Sequence, residues 1–202
     1  MGEKRRFSQP VSFNDTFQIN EVTVNATASE INAGVDLSAQ AIATPAAAGI
    51  TGGTGTLYKH SLTYEGNLKV LSILVDITGL QSSTTDLDVI GQGASAAHLG
   101  QILAAEVGTV LAVQMTCLEA PATGQTDIDL YSATVGTAVF DDGIAALTET
   151  ALITSGGAWT NGAVKGATIV PPANDYLYLT CGAAATVGTY TAGKFLIEIY
   201  GY

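Results

Sequence analysis

The chain has 202 residues and a mass of 20.6 kDa, room for one domain with an arm or for two small domains, with a core that removes roughly 70% of the unfolded surface from water. Hydrophobic residues make up 47% of it and charged residues only 12%, with a net charge of −11. No run of 18 apolar residues exists to cross a membrane, and the acid excess excludes a nucleic-acid-binding domain, which needs concentrated Lys and Arg.

The charge is unevenly placed. Lys4, Arg5 and Arg6 form a basic tip, whereas residues 7–202 hold 17 acidic and 4 basic side chains. The tip reads either as a solvated terminus or as a tether to an acidic neighbour. MGEKRR looks like the charged start of a signal peptide, but polar FSQPVSFND follows where an apolar stretch is required, so export by that route is not expected. Phe7, Phe13, Phe17 and Ile19 are then scattered among polar residues with few neighbours to pack on. They dock either on the parent body or on another subunit. Asn14-Asp15-Thr16 and Asn25-Ala26-Thr27 match the glycosylation pattern by chance in a chain with no secretory signal. Thr27 and Glu30 have capping-box spacing, predicting a short helix over 28–34. Residues 41–48 contain Pro45 and no large side chain, as a linker or extended strap would. Residues 1–50 are therefore predicted to be an N-terminal arm and 51–202 the body.

Gly52-Gly53-Thr54-Gly55 opens the body as a turn. Strands are predicted at 56–65, 68–78, 86–90, 109–119, 127–133, 151–154, 176–183 and 195–200. Leu177, Leu179 and Cys181 alternate with Tyr176, Tyr178 and Thr180, and Phe195, Ile197 and Ile199 alternate with Leu196, Glu198 and Tyr200. In 68–78 both faces are apolar, which suits a central strand. Residues 94–107 have helical composition interrupted by Gly100, and 143–152 offers one further turn. About eight strands with frequent turn signals and no strand–helix alternation predict an all-β fold: an antiparallel β-sandwich, jelly-roll-like, with an extended N-terminal arm.

Few motifs carry chemistry. Val89 to Ala96 reads as a strand entering G-x-G-x-x-A, the dinucleotide fingerprint, but no acidic residue follows about 20 positions on, and an ordinary glycine loop is expected. Asp127 and Asp129, with Asp141 and Asp142, are oxygen donors of the kind calcium takes, yet the calcium-loop spacing is missing; Asp127, Asp129 and Tyr131 are expected on the exposed face of a strand. His60 and His98 lack partners at zinc-ligand spacing, and no G-x-S-x-G elbow accompanies them. Cys117 and Cys181, inside apolar strands, are expected as reduced core thiols. Trp159 lies among glycines, either as an exposed anchor for a partner or closing one end of the core. No catalytic, metal or cofactor site is predicted, and the chain is not expected to be an enzyme.

The segments ITGGTGTLYKHSLTYEG, ILVDITGL, HLGQI, MTCLEAPATGQTDIDLYSATVGT, YLYLTCGAA and TYTAGKFLIEIYGY, spread from Gly52 to Tyr202, resemble a group of small virion proteins of tailed bacteriophages, described as structural, capsid-decoration or head-fibre proteins. NATASEINAG in the arm is similar to a phrase near helical starts in phage fibre and head-associated proteins. The resemblance implies a homo-oligomer, expected as a homotrimer, synthesised in the host cytoplasm and fixed to the capsid surface of the virion, with the major capsid protein as partner and neither nucleic acid nor membrane. On that reading Lys4, Arg5, Arg6, Phe7, Phe13, Phe17 and Ile19 form the arm's interface. The competing expectations are a tail or fibre component, or a glycan- or receptor-binding module using the loop around Trp159.

Overall fold

Leu71, Ile73 and Val75, and likewise Phe195, Ile197 and Ile199, recur at every second residue, which dictates strands whose alternate side chains enter a core. The computed structural model describes residues 18–19, 22–23, 46–183 and 186–202, and the chain divides into two units, 1–40 and 41–202. In the first, β1 (Gln18–Ile19) pairs antiparallel with β2 (Val22–Thr23). Ile19 is thus placed in a strand, while Lys4, Arg5, Arg6, Phe7, Phe13, Phe17 and the 28–34 helix lie outside the described residues.

The second unit is antiparallel β, with few helical turns. It opens with a single turn, α1 (Ala48–Thr51), whose Ile50 is fully buried in the main core. Ala47 N donates to His98 O and Gly49 N to Ala96 O, so the body begins before the glycine turn at 52–55. Two long strands follow, β3 (Leu57–Glu65) and β4 (Leu68–Asp76), joined by Gly66 and Asn67. Next come β5 (Gln81–Ser82), β6 (Gly100–Gln101), one helical turn α2 (Ala104–Val107), β7 (Val110–Ala122) and β8 (Ile128–Ala133). After a 3-10 turn, Ile144–Ala146, the chain continues through β9 (Glu149–Ile153), β10 (Val164–Gly166), β11 (Tyr176–Cys181), β12 (Gly188–Thr189) and β13 (Ala192–Gly201).

The hydrogen-bonded orders are β10-β7-β13-β4-β3 in one sheet and β6-β11-β8-β9 in another, with a small β12-β5 ribbon. Ile73 and Ile197 share a cross-strand row, as do Ile197 and Met115. Inward side chains of both larger sheets, among them Leu71, Val75, Phe195 and Ile199 from the first and Leu130, Leu152, Leu177 and Leu179 from the second, form one apolar cluster. A second cluster of Val89, Ala97, Tyr131, Ala133, Ala138, Ile144 and Tyr178 covers the other face of the β11–β8 pair. β8 is buried at every residue as a result.

One expectation is overturned here and one open reading is decided. Asp127 and Asp129 do not sit on an exposed face: they are 7% and 6% exposed, with Gly182 packed close against the Asp127 carboxylate and Ser155 N bonded to Asp129. The apolar stretch 94–107 is also not a helix. Ala97 N donates to Ala138 O, Leu99 N to Leu177 O and Ile102 N to Asp175 O. The segment thus spends its donors on neighbouring extended chain, with Gly100 at φ 142°; only α2 is helical. Residues 86–90 make isolated bridges, Asp88↔Gly143 and Val89↔Thr180, since Leu87 at φ 69° breaks the extended run.

Candidate functional site

A concavity lies where β13 ends and β7 begins. Gly108 adopts φ 75°, which an L side chain resists, and a Cβ there would collide with Tyr202 O. This close approach lets Thr109 N donate to Tyr202 O (3.1 Å) and Tyr202 N to Thr109 O (3.2 Å), fixing the last residue beside α2. On the other wall, Asn174 at φ 66° accepts from Ala104 N through Oδ1 (3.4 Å), and its carbonyl accepts from Gln101 Nε2 (2.7 Å). Between them opens a groove of about 450 Å³ lined by Ile102, Ala104, Gly108, Thr109, Val110, Val170, Pro171, Ala173 and Tyr202. Tyr202 is 61% exposed and Val170 45%; Ile169, beside Val170 in sequence, is 51% exposed, and Leu111, beside Val110, 53%. Most of the lining side chains are aliphatic, so the groove is suited to receiving apolar side chains, and it holds no carboxylate, histidine, cysteine or lysine among its lining residues.

Of the predicted site residues, Trp159 is the one described in this unit, and it does not line the groove. Trp159 is 3% exposed, so it is not an exposed anchor: it closes the core. Its Nε1 donates to Ile128 O (2.7 Å), its ring meets Phe195 edge-on at 5.5 Å, and Lys165 Nζ stands 4.9 Å from the ring centroid. Lys165 also donates to Ser155 O, so this cation seals the Trp159 loop. The loop looked exposed in sequence because its glycines concealed that its one large side chain turns inward.

His60 and His98 are not brought together. His60 stacks obliquely against Tyr58 at 5.3 Å, and His98 packs on Tyr176 at 5.0 Å. Burial pushes both imidazoles down toward the neutral form, and His98 Nδ1 has no protein partner. The ion pairs among the described residues join Lys194 to Asp76 (3.2 Å) and Glu119 (3.6 Å), neither involving histidine.

Buried carboxylates serve loops. Asp129 accepts from Ser155 N (2.6 Å); burial raises its pKa, and nearby Asp127 adds to the rise against the opposing Ser155 bond and Lys165. Asp175 accepts from Ser132 Oγ (3.0 Å), and burial raises it as well. Asp88 accepts from Ser83 Oγ (2.7 Å). No group of three or more metal-ligating side chains occurs among the described residues. Gly91 bridges to Gln81, and no helix follows Gly93, so the G-x-G-x-x-A stretch lacks the helix N-terminus that binds a pyrophosphate. Cys117 and Cys181 are free and buried; burial lifts the Cys181 thiol to about 11, which makes it inert.

No family model, curated protein or solved structure matches this chain. Among the described residues no helix is long and apolar enough to cross a membrane.

Proposed function

We propose that the chain is a structural virion protein of a tailed bacteriophage that decorates and cements the capsid exterior, with a jelly-roll body and the arm residues Lys4, Arg5, Arg6, Phe7, Phe13, Phe17 and Ile19 gripping the major capsid protein or a neighbouring copy of a homotrimer. Strand order supports the jelly roll. Among the eight strands β4, β6, β7, β8, β9, β10, β11 and β13, the first pairs with the last (β4–β13), the second with the seventh (β6–β11), the third with the sixth (β7–β10), and the middle two with each other (β8–β9). A long antiparallel ribbon rolled into two facing sheets has this pairing.

The observation that carries the contact role is the groove at the β7–β13 end, where the lining residues Val170 and Tyr202 stay in water, with exposed Leu111 and Ile169 next to lining residues in sequence. Solvent-facing aliphatic and aromatic side chains gathered at one end mark surface that another polypeptide covers. Burying them returns roughly 25 cal/mol per Å² of apolar area, less the entropy of association, and many copies on one shell act together. Basic residues at the tip and an acidic body also suit an arm that reaches a neighbouring copy.

The test is cosedimentation of the purified chain with phage heads that lack it. The full chain and a Val170→Asp variant should pellet with heads to different extents, the variant less, and a chain without residues 1–20 should fail to pellet while keeping its thermal transition. Equal pelleting by all three rejects the arm and the groove as contacts, and no pelleting by the full chain rejects the capsid role.

A further inference from the structure

β3 is the outermost strand of the five-stranded sheet and pairs along its whole length with β4 alone, Leu57↔Asp76 through Glu65↔Leu68. Its connection to β4 is the two-residue turn Gly66–Asn67, Gly66 at φ 65°. Such turns close with a hydrogen bond between the flanking residues, so Glu65 points its backbone N–H and C=O at β4, as do Thr63, Ser61, Lys59 and Leu57 by alternation. Tyr58, His60, Leu62 and Tyr64 therefore direct theirs to the open edge, where no described residue bonds them. Long open edges of this kind are templates for another strand.

We propose that this edge pairs with the same edge of a second copy, antiparallel about a two-fold axis through Leu62. A two-fold ladder must oppose residues whose numbers have a fixed sum, and the edge-facing positions restrict which registers form hydrogen bonds. Charge selects among them. Centring on Leu62 opposes His60 to Tyr64 of the second copy in hydrogen-bonded pairs and Lys59 to Glu65 of the second copy in non-hydrogen-bonded pairs, where side chains approach most closely. The two-fold axis makes each such pair twice. Lys59 and Glu65 are exposed and engage no ion pair among the described residues, so both charges are available. Moving the axis one residue either way sets Lys59 against Thr63 or Glu65 against Ser61. A lysine in an edge strand ordinarily discourages pairing; in this register it meets its counter-charge. The ladder adds about six backbone hydrogen bonds, and Tyr64, 55% exposed, covers the opposed imidazole. The inference rests on β3 alone and holds whether or not the chain belongs to a virion.

Sedimentation velocity on the full chain over a wide concentration range tests it. The wild type should self-associate reversibly. Lys59→Glu and Glu65→Lys should each weaken that association about tenfold by opposing like charges, and the double variant Lys59→Glu/Glu65→Lys should restore it, since the pairs re-form with exchanged signs. Both positions are exposed, so circular dichroism should be unchanged throughout. A monomeric wild type, including one whose edge is occupied by its own residues 1–45, overturns the proposal. So does an oligomer indifferent to either single reversal, or a double variant as weak as the singles.

Discussion

At the scale of single residues, the lone tryptophan reports on the whole core. Trp159 is sealed by Phe195, Lys165 and the Ile128 carbonyl, so its native fluorescence should be blue-shifted, resist iodide quenching, and shift red only with global unfolding. Trp159→Phe keeps a ring but loses the Nε1 bond and should cost about 1 kcal/mol; Trp159→Ala should cost about 3–5 kcal/mol by urea titration. Asp129 makes a different prediction. Burial holds its folded pKa above its unfolded value of about 4, so the native state binds its proton more tightly than the unfolded chain does. Below both values the group is neutral in each state and costs nothing; as pH rises from the unfolded through the folded pKa, a penalty grows and stability falls. Asp129→Asn keeps an oxygen to accept from Ser155 N and removes that penalty. The variant should equal or exceed the wild type in stability at about pH 7, with the difference closing toward about pH 4. A variant markedly less stable at pH 7 would mean that the charge itself, drawn to Lys165, holds the loop.

Among elements, legibility in the sequence followed whether a segment's own periodicity matched its surroundings. β3, β4, β7, β11 and β13 were readable because their apolar positions recur every second residue, and one such face meets the core. Residues 94–107 were unreadable because Ala, Leu and Gln favour helix locally, while the bonds from Ala97, Leu99 and Ile102 to distant carbonyls are tertiary and leave no local trace. β8 was half readable: Ile128 and Leu130 marked the inward face, but nothing local showed that a second layer would cover Tyr131 and Ala133 or that Asp127 and Asp129 would be buried. β10 escaped notice since three residues, Val164–Gly166, are too few to show a period. The groove was equally hidden. Its geometry depends on the left-handed backbone of Gly108 and Asn174, and glycine and asparagine at those positions signal turns without saying what the turns bring together. Trp159 stayed undecided between anchor and core for a related reason, because its loop is polar in composition while its side chain is core.

For the whole molecule, net charge decides how copies meet. Each chain carries −11, and two folded chains of this length touch at a centre separation of about 40 Å. Treating each charge as central, repulsion is about 3 kcal/mol at 10 mM salt, where the screening length is about 30 Å, and about 0.1 kcal/mol near 150 mM, where it is about 8 Å. The two Lys59–Glu65 pairs act at about 4 Å, inside the screening length in both cases, and lose only about 0.5 kcal/mol together over the same range. Long-range repulsion is therefore the larger salt-sensitive effect. Self-association through β3 should strengthen between 10 and 150 mM salt by more than tenfold, the reverse of a complex held chiefly by opposite net charges. Sedimentation at the two salt concentrations reads this directly, and an affinity that falls with added salt would place the contact on oppositely charged surfaces, such as the basic tip against an acidic body, instead of on the edge of the sheet.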